Sequence, residues 1–306
     1  MQDILNAAFA GLKLQDPANA DRVAELLDRF ELRWTVSKQP LILQDGTETP
    51  FLAVVRDDNN KAFTTCKDGY TPYQNSELAE LVIRIGERTG FTIHSGGEFN
   101  GGGKVYLQLA TGNALQGIGQ NRSKVEGYIT GINGHDGTTS LKWGSLSYTI
   151  CCKNTFAAAK KELKTTVRHT ASIHDKVDLA LREIENITAQ EQTLFDQFIR
   201  LASVPVTKQN IVKVVRDITG VDINQPKSES NHSGYSINRA GELTASIASE
   251  MAYKGDTLWG LFSGVTHYST HKMPAPKRDN ARLESKHVGN GAEIDNKAFA
   301  SILQMA

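Results

Sequence analysis

The chain has 306 residues, with 34 Lys plus Arg against 34 Asp plus Glu, and 39% of its residues are apolar. That composition excludes global disorder, and the zero net charge excludes polyanion binding by overall charge, so a nucleic-acid reading must rest on a local excess of cations. At about 100 to 200 residues per domain, the length allows one large domain or two ordinary ones.

Residues 1–33 read as an N-terminal helical segment, with Val23, Leu26, Leu27 and Phe30 at helical spacing over 19–32. From Trp34 onward, short apolar runs at 41–43 and 51–55 are broken by DGTETP and RDDNNK, which is hairpin punctuation. Asn75 is the expected cap of a helix whose Leu78, Leu81, Val82 and Ile85 form one stripe and which Gly90 ends. Strands are expected at 91–94, 104–110 and 125–132, then a turn at 133–137 and a long strand over 138–152. Helices follow in the reading at 153–167, 172–187, 190–202, 208–219, 238–253 and 256–269, with a linker near 224–234. The expected organisation is an α+β core over 34–187 and a helical C-terminal region over 188–306. The fold class is an antiparallel β-sheet flanked by helices.

Cys66, Cys151 and Cys152 form an odd set in which two are adjacent, so no disulfide framework is expected. No stretch approaches the roughly 18 apolar residues of a membrane span, and the first residues carry acid before any apolar run, so no secretory leader is read. A reduced, cytoplasmic protein without a membrane partner is the expectation.

Charge is unevenly spread. Between residues 100 and 168 stand nine basic residues (Lys104, Arg122, Lys124, Lys142, Lys153, Lys160, Lys161, Lys164 and Arg168) and three acidic ones (Glu126, Asp136 and Glu162). If 153–167 is a helix, Phe156, Ala159, Leu163 and Val167 share one face, and Lys153, Lys160, Lys164 and Arg168 share the next, with Lys161 at its border. The bland alternative is a solvated amphipathic face. Against it, only Glu162 interrupts the lysines, so ion pairs within the helix cannot neutralise them, and such a row attracts phosphates. Tyr70, Tyr73, Tyr106 and Trp143 are interleaved with these cations, a pattern that suits base stacking beside phosphate contacts, although core packing explains aromatics equally well.

Enzymatic motifs fail on their own requirements. GGGK at 101–104 has Glu98 where a phosphate loop needs glycine, and Val105 where it needs a hydroxyl residue, so it reads as a turn from which Lys104 can still reach a phosphate. His135 and Asp136 are adjacent on a turn and diverge. His267 and His271 stand four apart but lack the Glu of a zinc helix and a third ligand. No catalytic residue, metal site or cofactor is expected.

Several segments taken together carry a resemblance: KDGYTPYQNSE (67–77), GGEFNGGGKVYLQL (96–109), ITGINGHDGTTSL (129–141), YTICCKNTFAAAK (148–160), VRHTASI (167–173) and GDTLWGLFSGVTHYSTH (255–271). They resemble a family of unknown function usually labelled phage/plasmid-like protein. More distantly, the order helix, antiparallel sheet, lysine-rich helix is similar to the β-β-β-α core of single-strand annealing recombinases of the Erf, Redβ and RecT type. That resemblance implies a ring- or filament-forming homo-oligomer that holds single-stranded DNA in a basic groove and anneals complementary strands without ATP. The alternative is a mobile-element interaction protein, for host takeover or anti-defence, whose basic segment faces an acidic partner. A nuclease would need a carboxylate or histidine cluster that the sequence does not assemble.

Overall fold

The computed structural model describes residues 17–149, 154–158, 165–167, 191–225, 232–278 and 280–306. The expected helix at 172–187 and the centre of the expected linker lie outside the described residues. The chain divides into two compact units, one of 1–109, 131–142 and 166–181, the other of 110–130, 143–165 and 182–306.

In the first unit, helix α1 (Pro17–Arg29) buries Leu26 and Leu27. Strands β1 (Val36–Ile42), β2 (Glu48–Arg56) and β3 (Lys61–Cys66) form an antiparallel meander in which Val36 faces Arg56 and Leu52 faces Cys66. Helix α2 (Asn75–Thr89) buries the expected stripe of Leu78, Leu81, Val82 and Ile85, and stops where Gly90 takes the left-handed φ of 76° and donates to the Gly86 carbonyl. The expected cap is displaced by one residue. Gln74 holds the cap position, its N–H donating to Glu77 Oε2 at 2.6 Å, while Asn75 is the first helical residue and its side chain is used elsewhere.

The second sheet has the order β4-β5-β6-β7-β8, with β9 also paired to β7. Its strands are β4 (Thr92–Phe99), β5 (Lys104–Ile118), β6 (Ser123–Gly134), β7 (Leu141–Thr149), β8 (Asn154–Ala158) and β9 (Thr165–Val167). Connections of a few residues make neighbours β4 to β7 antiparallel. β7 and β8 pair antiparallel from Ser145↔Ala158 to Thr149↔Asn154.

This overturns the expected helix over 153–167. The open edge of β7 supplies backbone partners to residues 154–158, and Thr155, Phe156, Thr165, Thr166 and Val167 are β-branched or aromatic types that suit a pleated surface. With 154–158 and 165–167 extended, Phe156 and Val167 are strand residues, and Lys153, Lys160, Lys164 and Arg168 lie outside the described residues.

The second unit is built on helices α3 (191–203), α4 (Lys208–Thr219), α5 (Gly234–Lys254) and α6 (Leu258–His267), a π-helical turn (Tyr268–Lys272), and helices α7 (Ala281–Val288) and α8 (Asn290–Leu303). α4 has the expected bounds: the Thr207 hydroxyl accepts from Asn210 N–H, and Gly220 closes it. α5 begins four residues before the expected 238, because Ser233 caps it by accepting from Ser236 N–H. Its core joins Phe198, Leu201, Val215, Leu243, Trp259, Phe262, Phe299 and Ile302, with Ile118 and Val125 of the sheet.

Candidate nucleic-acid interface

Three of the segments that carry the resemblance converge in the first unit. Asn75 donates through Nδ2 to the carbonyls of Leu32 at 3.2 Å and Trp34 at 3.0 Å, which leaves its Oδ1 facing His135 Nε2 at 3.1 Å. Oδ1 only accepts, so Nε2 of His135 carries a proton. The His135 ring is fully buried, edge-on to Trp34 and stacked with Phe63. Asn133 Nδ2 donates to the Tyr73 carbonyl at 2.7 Å. The N–H groups of His135 and Asp136 both donate to the Gly103 carbonyl, at 2.8 and 3.1 Å.

The glycine turn is clamped from several sides. Lys61 Nζ donates to the carbonyls of Asn100 and Gly101, and a Cβ at Gly102, where φ is 90°, would press on the Trp34 ring and on Arg56. Arg56 lies 4.2 Å over Trp34 and bonds to Asp58 and Glu98, and Trp34 Nε1 donates to Glu98. GGGK is thus a packed turn whose glycines allow close approach.

The nine expected cations fare differently from one another. Lys104 does not reach outward for a phosphate: it is buried, and its Nζ donates to Asp136 Oδ2 at 2.8 Å. Burial pushes the Asp136 carboxyl up, but hydrogen bonds from Lys104 and Thr138 outweigh it and hold the group below the usual carboxylate range. Lys124 pairs with Glu126 at 2.7 Å, Arg122 is exposed at the β5–β6 turn with φ of 53°, and Lys142 is half-buried. Lys153, Lys160, Lys161, Lys164 and Arg168 lie outside the described residues.

Three of the four stacking candidates are core residues in this structure. Tyr73 is fully buried with its hydroxyl donating to the Glu77 carbonyl, Tyr106 stacks on Phe99 with centroids 4.8 Å apart, and Trp143 is buried. Their rings are spent on packing, which is what removes them from the candidate surface. Tyr70 is half-buried, and burial raises its hydroxyl above the ordinary tyrosine range.

Two buried networks of the second unit had no signal in the sequence reading. Lys286 and Asp295, both essentially without exposure, form an ion pair with Ser269, whose hydroxyl donates to Asp295 Oδ1 at 2.6 Å and accepts from Lys286 Nζ at 2.8 Å. Glu191, also buried, lies 3.0 Å from Thr111 Oγ1 and accepts from Asn113 Nδ2 at 2.6 Å. Burial raises its carboxyl above the usual range, only partly offset by those two neutral partners. Charged residues with an even polar spacing read as surface, and only chain reversal shows that these are inside. The rings of His267 and His271 adjoin, with centroids 4.9 Å apart, and among the described residues no group of three or more His, Cys, Asp or Glu could hold a metal ion. Among the described residues no helix is long and apolar enough to cross a membrane.

No curated protein and no solved structure matches the chain. One family model does, that of a domain of unknown function, DUF932. It runs over residues 62–289, from within β3 to the residue after α7, and so takes in the glycine turn, His135 with Asn75 and Asn133, the basic stretch and the π-helical turn. With well over half of its length matched, the chain belongs to the DUF932 family.

Proposed function

We propose that the protein binds single-stranded DNA through its basic middle stretch, assembles as a homo-oligomer, and anneals complementary strands without ATP in phage or plasmid recombination. One observation carries the reading. Two of the three acids between residues 100 and 168 are taken up internally, Asp136 by Lys104 and Glu126 by Lys124. Those two pairs take up as many cations as acids, so the stretch keeps its excess of six basic residues over acidic ones. Pairing inside the stretch therefore leaves the charge asymmetry in place. Lys153 directly precedes β8, Lys160, Lys161 and Lys164 fall between β8 and β9, and Arg168 directly follows β9. The stripe of a helix is thus replaced by a cationic run interleaved with strands that pair to β7.

The chemistry follows from phosphate neutralisation. Cations replace condensed counterions along the strand, bases stay free to pair, and repetition of the same surface in an oligomer makes the contacts add. Pairing releases about 1.4 kcal/mol of stacking free energy per base-pair step, so a protein that concentrates and extends both strands needs no fuel.

A mobility-shift titration of single- against double-stranded DNA at two salt concentrations tests the reading. If the five cations flanking β8 and β9 each meet a phosphate, the logarithmic salt slope is about −3.5, and a fourfold rise in salt weakens binding about 100-fold. Lys160→Glu with Lys164→Glu should abolish binding, and annealing followed by fluorescence should proceed with chelator and without nucleotide. Salt-independent binding, or wild-type binding by a folded double variant, would leave the interaction-protein alternative. A strictly monomeric protein with and without DNA would refute the oligomer.

A further inference from the structure

We infer that the second unit carries another single-strand contact surface, in which Tyr235 stacks on a base while Arg239 and Lys272 meet the flanking phosphates. This rests on the single-strand reading above, but on different residues and a different observation. Tyr235 is 61% exposed, the highest value among the exposed large apolar and aromatic side chains of the described residues. Four residues on, along α5, the Arg239 guanidinium stands over its ring at 5.7 Å from the centroid.

The guanidinium is held from beneath, since Arg239 Nε donates to the hydroxyl of the buried Tyr268 at 3.4 Å. Tyr268 opens the π-helical turn, and the same turn exposes His271 and Lys272. π-Turns concentrate at functional sites because they re-aim side chains out of the helical register. The loop that follows exposes Lys277 and Arg278, and the first turn of α7 exposes Arg282, which is tied back to the Met273 carbonyl at 3.0 Å, while Arg278 is paired with Glu284.

Between residues 268 and 282 there are four Lys and Arg and one acid, Asp279, and the nearest acid after Arg239 on α5 is Glu242. An exposed planar ring beside a held guanidinium, with a further cation on the π-helical turn whose first residue holds that guanidinium, is the arrangement that grips single-stranded nucleic acid without reading sequence. The ring takes the face of any base, and the cations take the backbone.

The test is binding of an oligo-dT labelled with 5-iodouracil, by titration and by photocrosslinking, with the full-length protein. Tyr235→Ala and Tyr235→Leu should each weaken binding about 5- to 100-fold, the range of one lost base stack, whereas Tyr235→Phe should bind like wild type, because the ring and not the hydroxyl is used. Arg239→Gln with Lys272→Gln should lower the salt slope by about one to two. The crosslinked peptide should contain Tyr235. Unchanged thermal melting of these surface variants separates lost contact from lost fold.

A wild type that does not bind the oligonucleotide overturns both readings. A wild type that binds, with Tyr235→Ala equal to it, overturns this inference alone. Tyr235→Leu binding as well as Tyr235→Phe, or displacement of the DNA from this surface by an acidic peptide of equal charge, would mark a contact for protein and also overturn it.

Discussion

Lys286→Met should be among the most damaging single substitutions in the second unit. The Lys286 and Asp295 side chains are 1% and 0% exposed, and Ser269 supplies the remaining hydrogen bond to the carboxylate, at 2.6 Å. Removing the lysine strands a buried carboxylate with one neutral donor, a situation that costs about 3–5 kcal/mol. At about 2–4 °C per kcal/mol for a chain of roughly 150–250 residues, the unfolding midpoint should fall by roughly 10 °C. The pH dependence gives a sharper signature. Burial already raises the Asp295 carboxyl even with Lys286 beside it, and without the lysine it rises further above its unfolded value of about 3.9. A carboxyl raised on folding contributes stability that is fully present below the unfolded value and lost as pH climbs through the folded one. The gap between variant and wild type should therefore be narrow near pH 4 and wide near pH 7. Lys286→Met with Asp295→Leu should recover most of the loss, because an apolar pair of similar volume replaces the ion pair. Calorimetry across this pH range checks all three. A Lys286→Met midpoint within about 2 °C of wild type at pH 7, or a double variant no better than the single one, would refute the reasoning.

Glu191→Gln should stabilise the protein at neutral pH and not at pH 4. The wild-type carboxyl is raised by burial, so its contribution is lost as pH rises above about 4.3, whereas the amide can donate to Thr111 Oγ1 at any pH; urea titrations at pH 4 and pH 7 compare the two. Gly127→Ala should behave like loss of that clip, because a Cβ there would overlap the Glu191 carboxylate, and its effect should shrink sharply in a Glu191→Ala background. Asn75→Ala leaves the carbonyls of Leu32 and Trp34 and the Nε2 proton of His135 without their partner; at about 1–3 kcal/mol for each buried unsatisfied group, a loss of at least about 3 kcal/mol is expected in urea unfolding, and less than about 1 kcal/mol would contradict the network.

Several elements of this protein were legible in the chain because their signals act within a few residues. The bounds of α4 follow from Thr207 and Gly220, the buried face of α2 follows from the spacing of Leu78, Leu81, Val82 and Ile85, and the antiparallel meander follows from turns too short for a crossover. Where two local patterns compete, the chain alone does not decide. Residues 153–167 satisfy a helical stripe, yet 154–158 and 165–167 are strands, because the partner that satisfies their backbone is β7. Asn75 has the composition of a helix cap, yet its amide is taken by carbonyls about 40 residues earlier and by His135, 60 residues later.

The candidate interface divides in the same way. The excess of cations between residues 100 and 168 is a property of the sequence, as is the absence of a phosphate-loop spacing. Which cations are withdrawn from it depends on pairings such as Lys104 with Asp136, 32 residues away. Whether an aromatic ring is buried, like Tyr73, or presented beside a guanidinium, like Tyr235, also required the tertiary structure. Capping, periodicity and local charge are free-energy terms between near neighbours in the chain, and so they can be read in order. Burial and long-range pairing exist only once chain reversal has brought distant residues together, and there the same side chain has two different fates.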